Sequence, residues 1–568
     1  SSDLCRAAFD RMRDASAVPA DVPPPGGLVG VVARSWFLIV PVLLLVAALA
    51  WAPGFRGIAP VDRDEPRYAQ AAKQMIERGD PIDIRLGEEP RYKKPVGIYW
   101  LQAGTALAVG SGAESPIGVF RLPSLAGAAV AVLATAVVGA AMFGRAVGLL
   151  AGLALATALV LGVEARLAKT DAVLLALLVV MQAALWQLWS TRDGDRPAGA
   201  WWLVFWIALG AGILVKGPIA PALAGLTGLV LILWERRLGW LARLKPLRGV
   251  PLMLLVAAPW AVTIVLASDG AFLDDFKADA LAKIYQAHEG HGAPPGFYLV
   301  TMWAMAWPFV ALVPLAVAWA WRHRADDRVR FLVAWVVPFW LLFEVAATKL
   351  PHYTLPTYPA LAIAAAAAVL GLDRRRPWLV GLPLVLVLFL GVGLAAAAVA
   401  VPFLLDDALP APVVLGAVVA VLLLGGTWRA YVRARHQLAG VALGVAALVL
   451  YATIYGALFP RMEALRLSER MADAVATHAF CPDPTIAAVG YHEPSALFLV
   501  GTELRLASVA EAAEILADAE CALVFVAEDR RDDLLAQLET TPPTLARLRG
   551  WQLNGAEWTT LTLYGTTD

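Results

Sequence analysis

The chain has 568 residues, 60% of them hydrophobic and 16% charged, with a mean hydropathy of +0.67 and a formal net charge of zero. Soluble domains carry about 45–50% apolar and about 25% charged residues, so the composition points to an integral membrane protein. A zero net charge provides no global field to recruit nucleic acid.

In chain order, residues 1–32 form a tail without a cleavable signal pattern, because the first apolar run starts only near residue 35. A helix crossing a bilayer needs about 20 mostly apolar residues. Some thirteen stretches qualify: 33–53, 116–142, 146–165, 171–190, 200–215, 217–234, 249–267, 296–321, 330–347, 354–372, 377–403, 411–428 and 438–459. Lys216-Gly217-Pro218 splits one long run into the fifth and sixth of these. Trp36, Trp51, Trp201, Trp202, Trp234 and Trp240 lie near run ends, as interfacial anchoring favours.

Alternate loops differ in charge. One set holds Arg145, Arg192, Arg196, "ERRLGWLARLKPLRG", "RHRADDRVR", "DRRRP" and "WRAYVRARHQ", all basic or Arg-bearing. The other holds 54–115, the Glu164–Asp171 turn, "VKGP", 268–295, "TKLPHY", "LLDDALP" and everything after 460. Short cytoplasmic loops carry the Lys/Arg excess, so the first set is expected in the cytoplasm with the N-terminus, and the second outside.

The first outer loop, 54–115, is patterned. "EPRYAQAAKQMI" has helical spacing with Tyr68, Ala72, Met75 and Ile76 on one face, and Asp64 stands where an N-cap would. "PVGIYWLQAGTALAVG" is short and apolar, as a helix lying in the membrane interface would be. Residues 460–568 alternate helix-like stretches with the β-like runs "TIAAVG", "ALVFVA" and "LTLYG", which predicts a small extracytoplasmic α/β domain. His492 and Glu493, at a strand end, read as a solvated loop. Of three cysteines, Cys5 lies in the tail, and Cys481 and Cys521 in this last part; no C-x-x-C pair suggests a zinc knuckle. Cys481 and Cys521 bracket two predicted strands and are expected to lie close, as a bridge or as two buried thiols.

Ionisable residues collect at the outer ends of the predicted spans. They include Asp62, Asp64, Glu65 and Arg67; Arg91, Lys93 and Lys94; Arg121; Glu164, Arg166, Lys169 and Asp171; Lys216; Lys283; and Glu344, Lys349, His352 and Tyr353. Charge at membrane depth is costly and marks a polar cavity or a substrate path. Pro351 and Pro356 prevent a continuous helix through "TKLPHYTLP", so this segment is expected to be a bent, outward-facing connector.

"DRDEPRYAQAAKQMIERGD", "RYKKPVGIYW", "FRLPSLAG", "ARLAKTDAVLL", "VKGP" and "TKLPHYTLPTYPALAI", in that order, resemble the polyprenyl-phosphate-dependent glycosyltransferases of the GT-C class. The sequence is most similar to the bacterial lipid A aminoarabinose transferases, relatives of the protein O-mannosyltransferases. The likeness covers 33–460, and it implies an all-α polytopic membrane protein of about thirteen helices. The implied partition is a cytoplasmic tail at 1–32, a transmembrane glycosyltransferase unit at 33–459 and a periplasmic α/β domain at 460–568. The implied reaction moves 4-amino-4-deoxy-L-arabinose from undecaprenyl phosphate to lipid A at the periplasmic face of a Gram-negative inner membrane. Asp64 and Asp171 would be the catalytic carboxylates. Lys94 would hold the donor phosphate, with Arg67, Tyr353, Lys93 and Lys349 around it, Lys349 and Tyr353 on the side opposite Lys94. Where those transferases tend to have Glu-Lys-Pro, this chain has Lys93-Lys94-Pro95.

No cofactor is required by this reading. "HEGH" places His288 and His291 on one helical face, and Glu88 or Asp64 could add an oxygen, so a zinc ion is an additional expectation. Two other functions fit the same features: transfer of another sugar to protein Ser/Thr, or polyprenyl-lipid transport without chemistry. A transporter would favour broken helices and repeated halves, and the sequence suggests neither.

Overall fold

The computed structural model describes residues 26–60, 63–194, 199–285, 292–371, 378–553 and 555–566. A helix or a broken helix occupies each of the thirteen apolar stretches. Among the described residues, seven helices are long and apolar enough to cross a membrane: Ile117–Phe143, Asp171–Ser190, Pro246–Ala267, Pro351–Leu370, Trp378–Leu404, Ala411–Val432 and His436–Arg461. Five further apolar helices are shorter, 10–17 residues each. The chain is a multi-pass membrane protein.

Two expected continuous helices are broken. Arg145–Thr157 stops at Ala158, whose backbone is extended, before Leu159–Glu164 resumes. Phe297–Met305 stops ahead of Pro308, which lacks an amide hydrogen and disrupts the preceding turn. The two breaks meet. Leu159 N–H donates to the Trp307 carbonyl (3.0 Å) and the Tyr451 hydroxyl to the Thr157 carbonyl (2.7 Å). Backbone groups freed by the breaks thus find partners inside the protein, as a membrane interior demands.

The first outer loop folds as a helix, a hairpin and a second helix. The helix Asp64–Arg78 begins at Asp64 itself, behind an Arg63 that makes no cap. The expectation that Asp64 caps the helix is therefore wrong; its carboxylate is in the first turn, where the helix dipole favours negative charge. Burial is also wider than the single predicted face: Gln70, Lys73 and Gln74 are buried with Tyr68, Ala72 and Met75. The reason is a second partner. Gln70 Nε2 donates to Thr502 Oγ1 (2.8 Å), whose hydroxyl donates to Glu77 (2.8 Å), so the C-terminal part covers the face left polar by the sequence. A two-stranded hairpin, β1 (Arg85–Leu86) and β2 (Glu89–Pro90), leads to the helix Gly97–Val109. That helix buries Ile98, Tyr99 and Gln102 and exposes Trp100, Leu101 and Leu107, the two-faced pattern of an interfacial helix.

After residue 460 the chain forms five strands: β3 (Thr485–Val489), β4 (Arg505–Leu506), β5 (Ala522–Ala527), β6 (Thr544–Gln552) and β7 (Glu557–Gly565), ordered β4-β3-β5-β7-β6. β3 runs parallel to β4 and β5, while β7 is antiparallel to β5 and β6. Strand β6 escaped the sequence reading because "TLARLRGWQ" carries Arg547 and Arg549 on an edge, where charge is a common protection. Glu493 corrects another expectation. His492 is exposed, but Glu493 is buried, accepts from Gln552 Nε2 (2.6 Å) and lies 3.7 Å from Arg63.

Cys481 and Cys521 are joined as a disulfide across 40 residues. Closing a loop of that length contributes about 4 kcal/mol in the chain-entropy treatment. Cys481→Ser with Cys521→Ser should lower the melting temperature of the full chain by several degrees; an unchanged melting temperature would mean the bridge adds nothing.

Candidate functional site

Six segments bring their polar ends to one place. Asp64 opens the helix Asp64–Arg78, and Asp171 opens the helix Asp171–Ser190. Gly127 allows the helix Ile117–Phe143 to lie directly on the start of the latter, since a Cβ there would come within 2.8 Å of the Val173 backbone. Glu164 and Lys169 belong to the turn before Asp171; Lys216 ends the helix Trp201–Lys216. Asp279 sits on the helix Ala271–Tyr285, and Lys349, His352 and Tyr353 come from the proline-bounded connector, a 3₁₀ turn over Pro351–Thr357. The backbone is extended at Leu350 and helical from Pro351 on, the 3₁₀ turn running directly into the helix Tyr358–Leu370, so the expected interruption falls at Pro351 and the helix continues past Pro356.

The centre is a carboxylate–ammonium network. Lys216 Nζ is 2.6 Å from Asp171 Oδ1, and Thr170 Oγ1 donates to Asp171 Oδ2 at 3.2 Å. His352 bridges the two acids, its Nε2 3.7 Å from Asp171 and its Nδ1 4.0 Å from Glu164. Lys169 Nζ lies 3.8 Å from Glu164. Tyr353 is bracketed by Phe343, by His352 and by Lys216, whose ammonium is 5.7 Å from the ring centroid. Asp64 is more open, its side chain 42% exposed, and pairs with Arg67 at 3.5 Å. Burial pushes the Asp64 carboxyl up, but Lys169, Arg67, Arg91 and Lys216 outweigh it and hold it below the ordinary carboxylate value. Arg91 lies over the Tyr68 ring at 5.4 Å.

The sequence-predicted phosphate ligands divide. Arg67 is beside Asp64, and Lys94 is 3.5 Å from Asp279. Lys349 is buried, with its ammonium on the Ala346 carbonyl (2.6 Å). Lys93 is exposed. Of the expected metal set, His288 and His291 lie outside the described residues, as do Asp62 and the side chain of Lys283; Glu88 is exposed at the hairpin turn, where its carbonyl accepts from Arg85. Among the described residues, Glu164, Asp171 and His352 form the group compact enough for a cation, with ligand atoms within 4.8 Å. Lys216 and Lys169 already place positive charge on those carboxylates, so the donor set does not suit a metal ion.

Several site residues went unassigned in the sequence. Lys169, Lys216, Glu164 and His352 were legible as polar groups at span ends, but their roles were not. Glu65 and Arg121 form a pair with both side chains 1% exposed: Arg121 donates to both carboxylate oxygens (2.6 and 2.8 Å) and to the carbonyls of Phe55 and Ile58. Glu65 also accepts the Ala168 N–H (2.9 Å), and Ser124 Oγ donates to the Lys169 carbonyl (3.0 Å). One carboxylate beside Asp64 therefore ties that helix to the turn carrying Asp171. A lone arginine at the start of an apolar helix was the only signal.

Comparison with known proteins follows the same lines. The family model described as dolichyl-phosphate-mannose-protein mannosyltransferase matches residues 67–268, which include Lys94, Asp171 and Lys216 but neither Asp64 nor the Lys349–Tyr353 connector. The undecaprenyl phosphate-α-4-amino-4-deoxy-L-arabinose arabinosyl transferase of Erwinia tasmaniensis is 28% identical over 302 residues, 53% of this chain and 54% of that protein. A second such transferase, from Pseudomonas fluorescens, is 28% identical over 303 residues. The crystal structure of ArnT from Cupriavidus metallidurans bound to undecaprenyl phosphate superposes with a TM-score of 0.76 at 20% identity, covering 93% of this chain and 97% of that one. In sequence and in fold, the chain resembles the undecaprenyl-phosphate aminoarabinosyl transferases. Its matching sequence spans about half the length of those curated relatives. The archaeal oligosaccharyltransferase of Archaeoglobus fulgidus shares the fold more distantly, with a TM-score of 0.51 at 11% identity over 84% of this chain and 64% of that one. The likeness of fold thus covers 93% of the chain, well beyond the residues 67–268 that the family model matches.

Tyr353→Phe tests that connector. If the hydroxyl binds a charged substrate oxygen, its loss costs about 1.5–3 kcal/mol, and turnover should fall roughly ten- to a hundredfold. An unchanged rate would reduce Tyr353 to a packing role between Phe343 and Lys216.

Proposed function

We propose that the chain is a glycosyltransferase that moves 4-amino-4-deoxy-L-arabinose from undecaprenyl phosphate to a phosphate of lipid A. The observation that carries this reading is the meeting of Asp64 and Arg67, on the outer-loop helix, with Asp171, Lys169 and Lys216 at the ends of apolar helices, in a chain whose relatives are named for that transfer. The isoprenoid remains in lipid while its sugar phosphate enters the polar cluster. Lys94, Arg67, Lys349 and Tyr353 take the phosphate, with Lys93 adding charge at the rim. The bond from the anomeric carbon to the donor phosphate oxygen breaks, its electron pair leaves with the phosphate, and fixed cations compensate that charge. Lysine meets phosphate as a point charge, and Arg67 can meet it with two donors. Asp64 and Asp171 stabilise the positive charge growing on the sugar, and an acceptor oxygen forms the new bond. An acceptor phosphate is already ionised at neutral pH, so no general base is needed, and Asp64 serves to pair with the sugar's ammonium. A cationic sugar on lipid A reduces its negative charge and hence its attraction for polymyxin and other cationic peptides.

We place the site at the periplasmic face of a Gram-negative inner membrane, with thirteen crossings, the N-terminus in the cytoplasm and residues 460–568 outside. The alternation of basic loops supports this orientation. So does the disulfide between Cys481 and Cys521, which suits an oxidising compartment. The division into a tail at 1–32, a transferase unit at 33–459 with its structured loop at 54–115, and an outer domain at 460–568 follows from it.

The match to the mannosyltransferase family favours a second acceptor, protein Ser/Thr. There the hydroxyl must lose a proton, and Asp64 would act as general base. The two broken helices are a feature of transporters, but both breaks close on each other and on Tyr451 instead of lining the polar cluster. Purified protein given undecaprenyl-phosphate aminoarabinose and either lipid A or a Ser/Thr peptide separates the three. Aminoarabinose added to lipid A is the expected product; glycopeptide alone favours the second reading, and an unconsumed donor ends both.

The chemistry is proposed to run without a metal ion. Dialysis against EDTA should leave turnover unchanged. A loss restored by zinc would return His288, His291 and Glu88 to the site.

A further inference from the structure

A groove of about 790 Å³ runs between the helix Trp36–Trp51, the helix Ile117–Phe143 and the segment 456–461. Leu44, Ala48 and Trp51 form one wall, and Leu125 and Ala129 another. Leu44 and Ala48 are exposed side chains of an apolar helix, which the proposed topology takes as the first crossing, so in that topology this wall meets lipid. At the polar end the lining changes to Arg56 and Arg461. Both are exposed, and no carboxylate lies within ion-pair distance of either among the described residues. Arg461 uses one guanidinium nitrogen on the carbonyls of Gly456 and Ala457 (3.2 and 2.9 Å). Exposed cations above an apolar trough, at the end of a membrane helix, are the complement of a lipid with an anionic head.

The polar end is held from behind. Arg121 donates to the carbonyls of Phe55 and Ile58, and Arg166 to that of Pro53 (3.0 Å) while covering the Tyr455 ring at 4.1 Å. Gly54, at φ +74°, lets this turn press onto the Tyr455 backbone. With residues 53–58 tied down by two interior arginines, the backbone at Arg56 is already ordered, so binding costs only the ordering of its side chain. None of the residues lining the groove belongs to the carboxylate–ammonium cluster, and Arg121 bonds the lining residue Phe55 on one side and Glu65 on the other, so its occupant is not the reacting sugar.

We propose that this groove is a binding site for an anionic glycerophospholipid of the surrounding bilayer, its phosphate on Arg56 and Arg461 and an acyl chain along Leu44, Ala48 and Leu125. A groove of this size suits one or two chains, which favours a glycerophospholipid over the many-chained acceptor.

The test uses the full chain in a non-ionic detergent, with phosphatidylglycerol, phosphatidylcholine or lipid A added, and reads melting temperature and native mass spectra. Phosphatidylglycerol is expected to raise the melting temperature and to be retained one per chain, and phosphatidylcholine is not. Two arginines near a lipid head imply a preference of roughly 30-fold. Arg56→Gln with Arg461→Gln should remove that preference, and Ala48→Trp, which fills the trough from an exposed position, should block retention with both arginines present. Equal effects of the two phospholipids, or retention unchanged in both variants, would overturn the site. Stoichiometric displacement of phosphatidylglycerol by lipid A would overturn the occupant. None of these readouts depends on sugar transfer, so the groove and the proposed reaction stand or fall separately.

Discussion

Asp64→Asn should reduce turnover by roughly 10²–10³-fold, the loss typical of removing one preorganised electrostatic group, while the melting temperature changes little. The carboxylate lies in the first helical turn, is not at the N-cap position and is 42% exposed, so its structural contribution is small. Its surroundings are a field of four cations, Lys169, Arg67, Arg91 and Lys216, which hold its pKa below the ordinary 3.8. The sign for pH follows. A depressed folded-state pKa means that whatever stability the charge contributes is present above 3.8 and is lost only as pH falls through the lower folded value. The catalytic charge persists over the same range, so kcat/KM of the wild-type chain should show no acid limb from Asp64 between about pH 7 and pH 4.5. Steady-state transfer rates across that range, beside thermal unfolding of Asp64→Asn, decide the matter. A fall in melting temperature matching the fall in rate would make Asp64 structural.

Much of this arrangement could be read from the sequence because its signals are local. Apolar runs of membrane length are the strongest pattern a chain can carry, and each expected stretch contains helix. Pro351 marked where the helix carrying Tyr353 begins, after an extended Leu350. Capping was misjudged at Asp64 because Asp-Glu-Pro also suits a helix that begins one residue earlier, and the backbone of Arg63 decides between the two. The breaks at Ala158 and Trp307 depend on each other across the fold: Leu159 N–H needs the Trp307 carbonyl, a partner no single window contains. The same holds for the site. Asp64 and Asp171 could be picked out individually, but Lys216 on Asp171 and His352 between Asp171 and Glu164 are products of packing. Glu493, read as solvated, is buried because Arg63 and Gln552 come to it from elsewhere.

Arg121→Leu carries the largest expected cost in stability. Arg121 is 1% exposed and serves two oxygens of Glu65 and two carbonyls, all in the interior. Breaking a buried pair from one side leaves an uncompensated charge and costs about 3–5 kcal/mol. Here it would also orphan the carbonyls of Phe55 and Ile58. Glu65→Leu should cost a similar amount, because it strands the guanidinium and the Ala168 N–H. The double substitution should cost less than the sum, since removing both charges together leaves neither unpaired. The effect on turnover has a separate origin. Glu65 joins the start of the Asp64 helix to the turn that ends in Asp171, so a loosened pair lets the two carboxylates drift apart, and small misplacements near a reacting centre are costly in rate. Thermal unfolding of the two single variants and the double variant, with transfer rates below the lowest melting temperature, distinguishes these effects. Recovery of stability in the double variant without recovery of rate would establish that Glu65 and Arg121 position the site as well as hold the fold; recovery of both would leave them a purely structural pair.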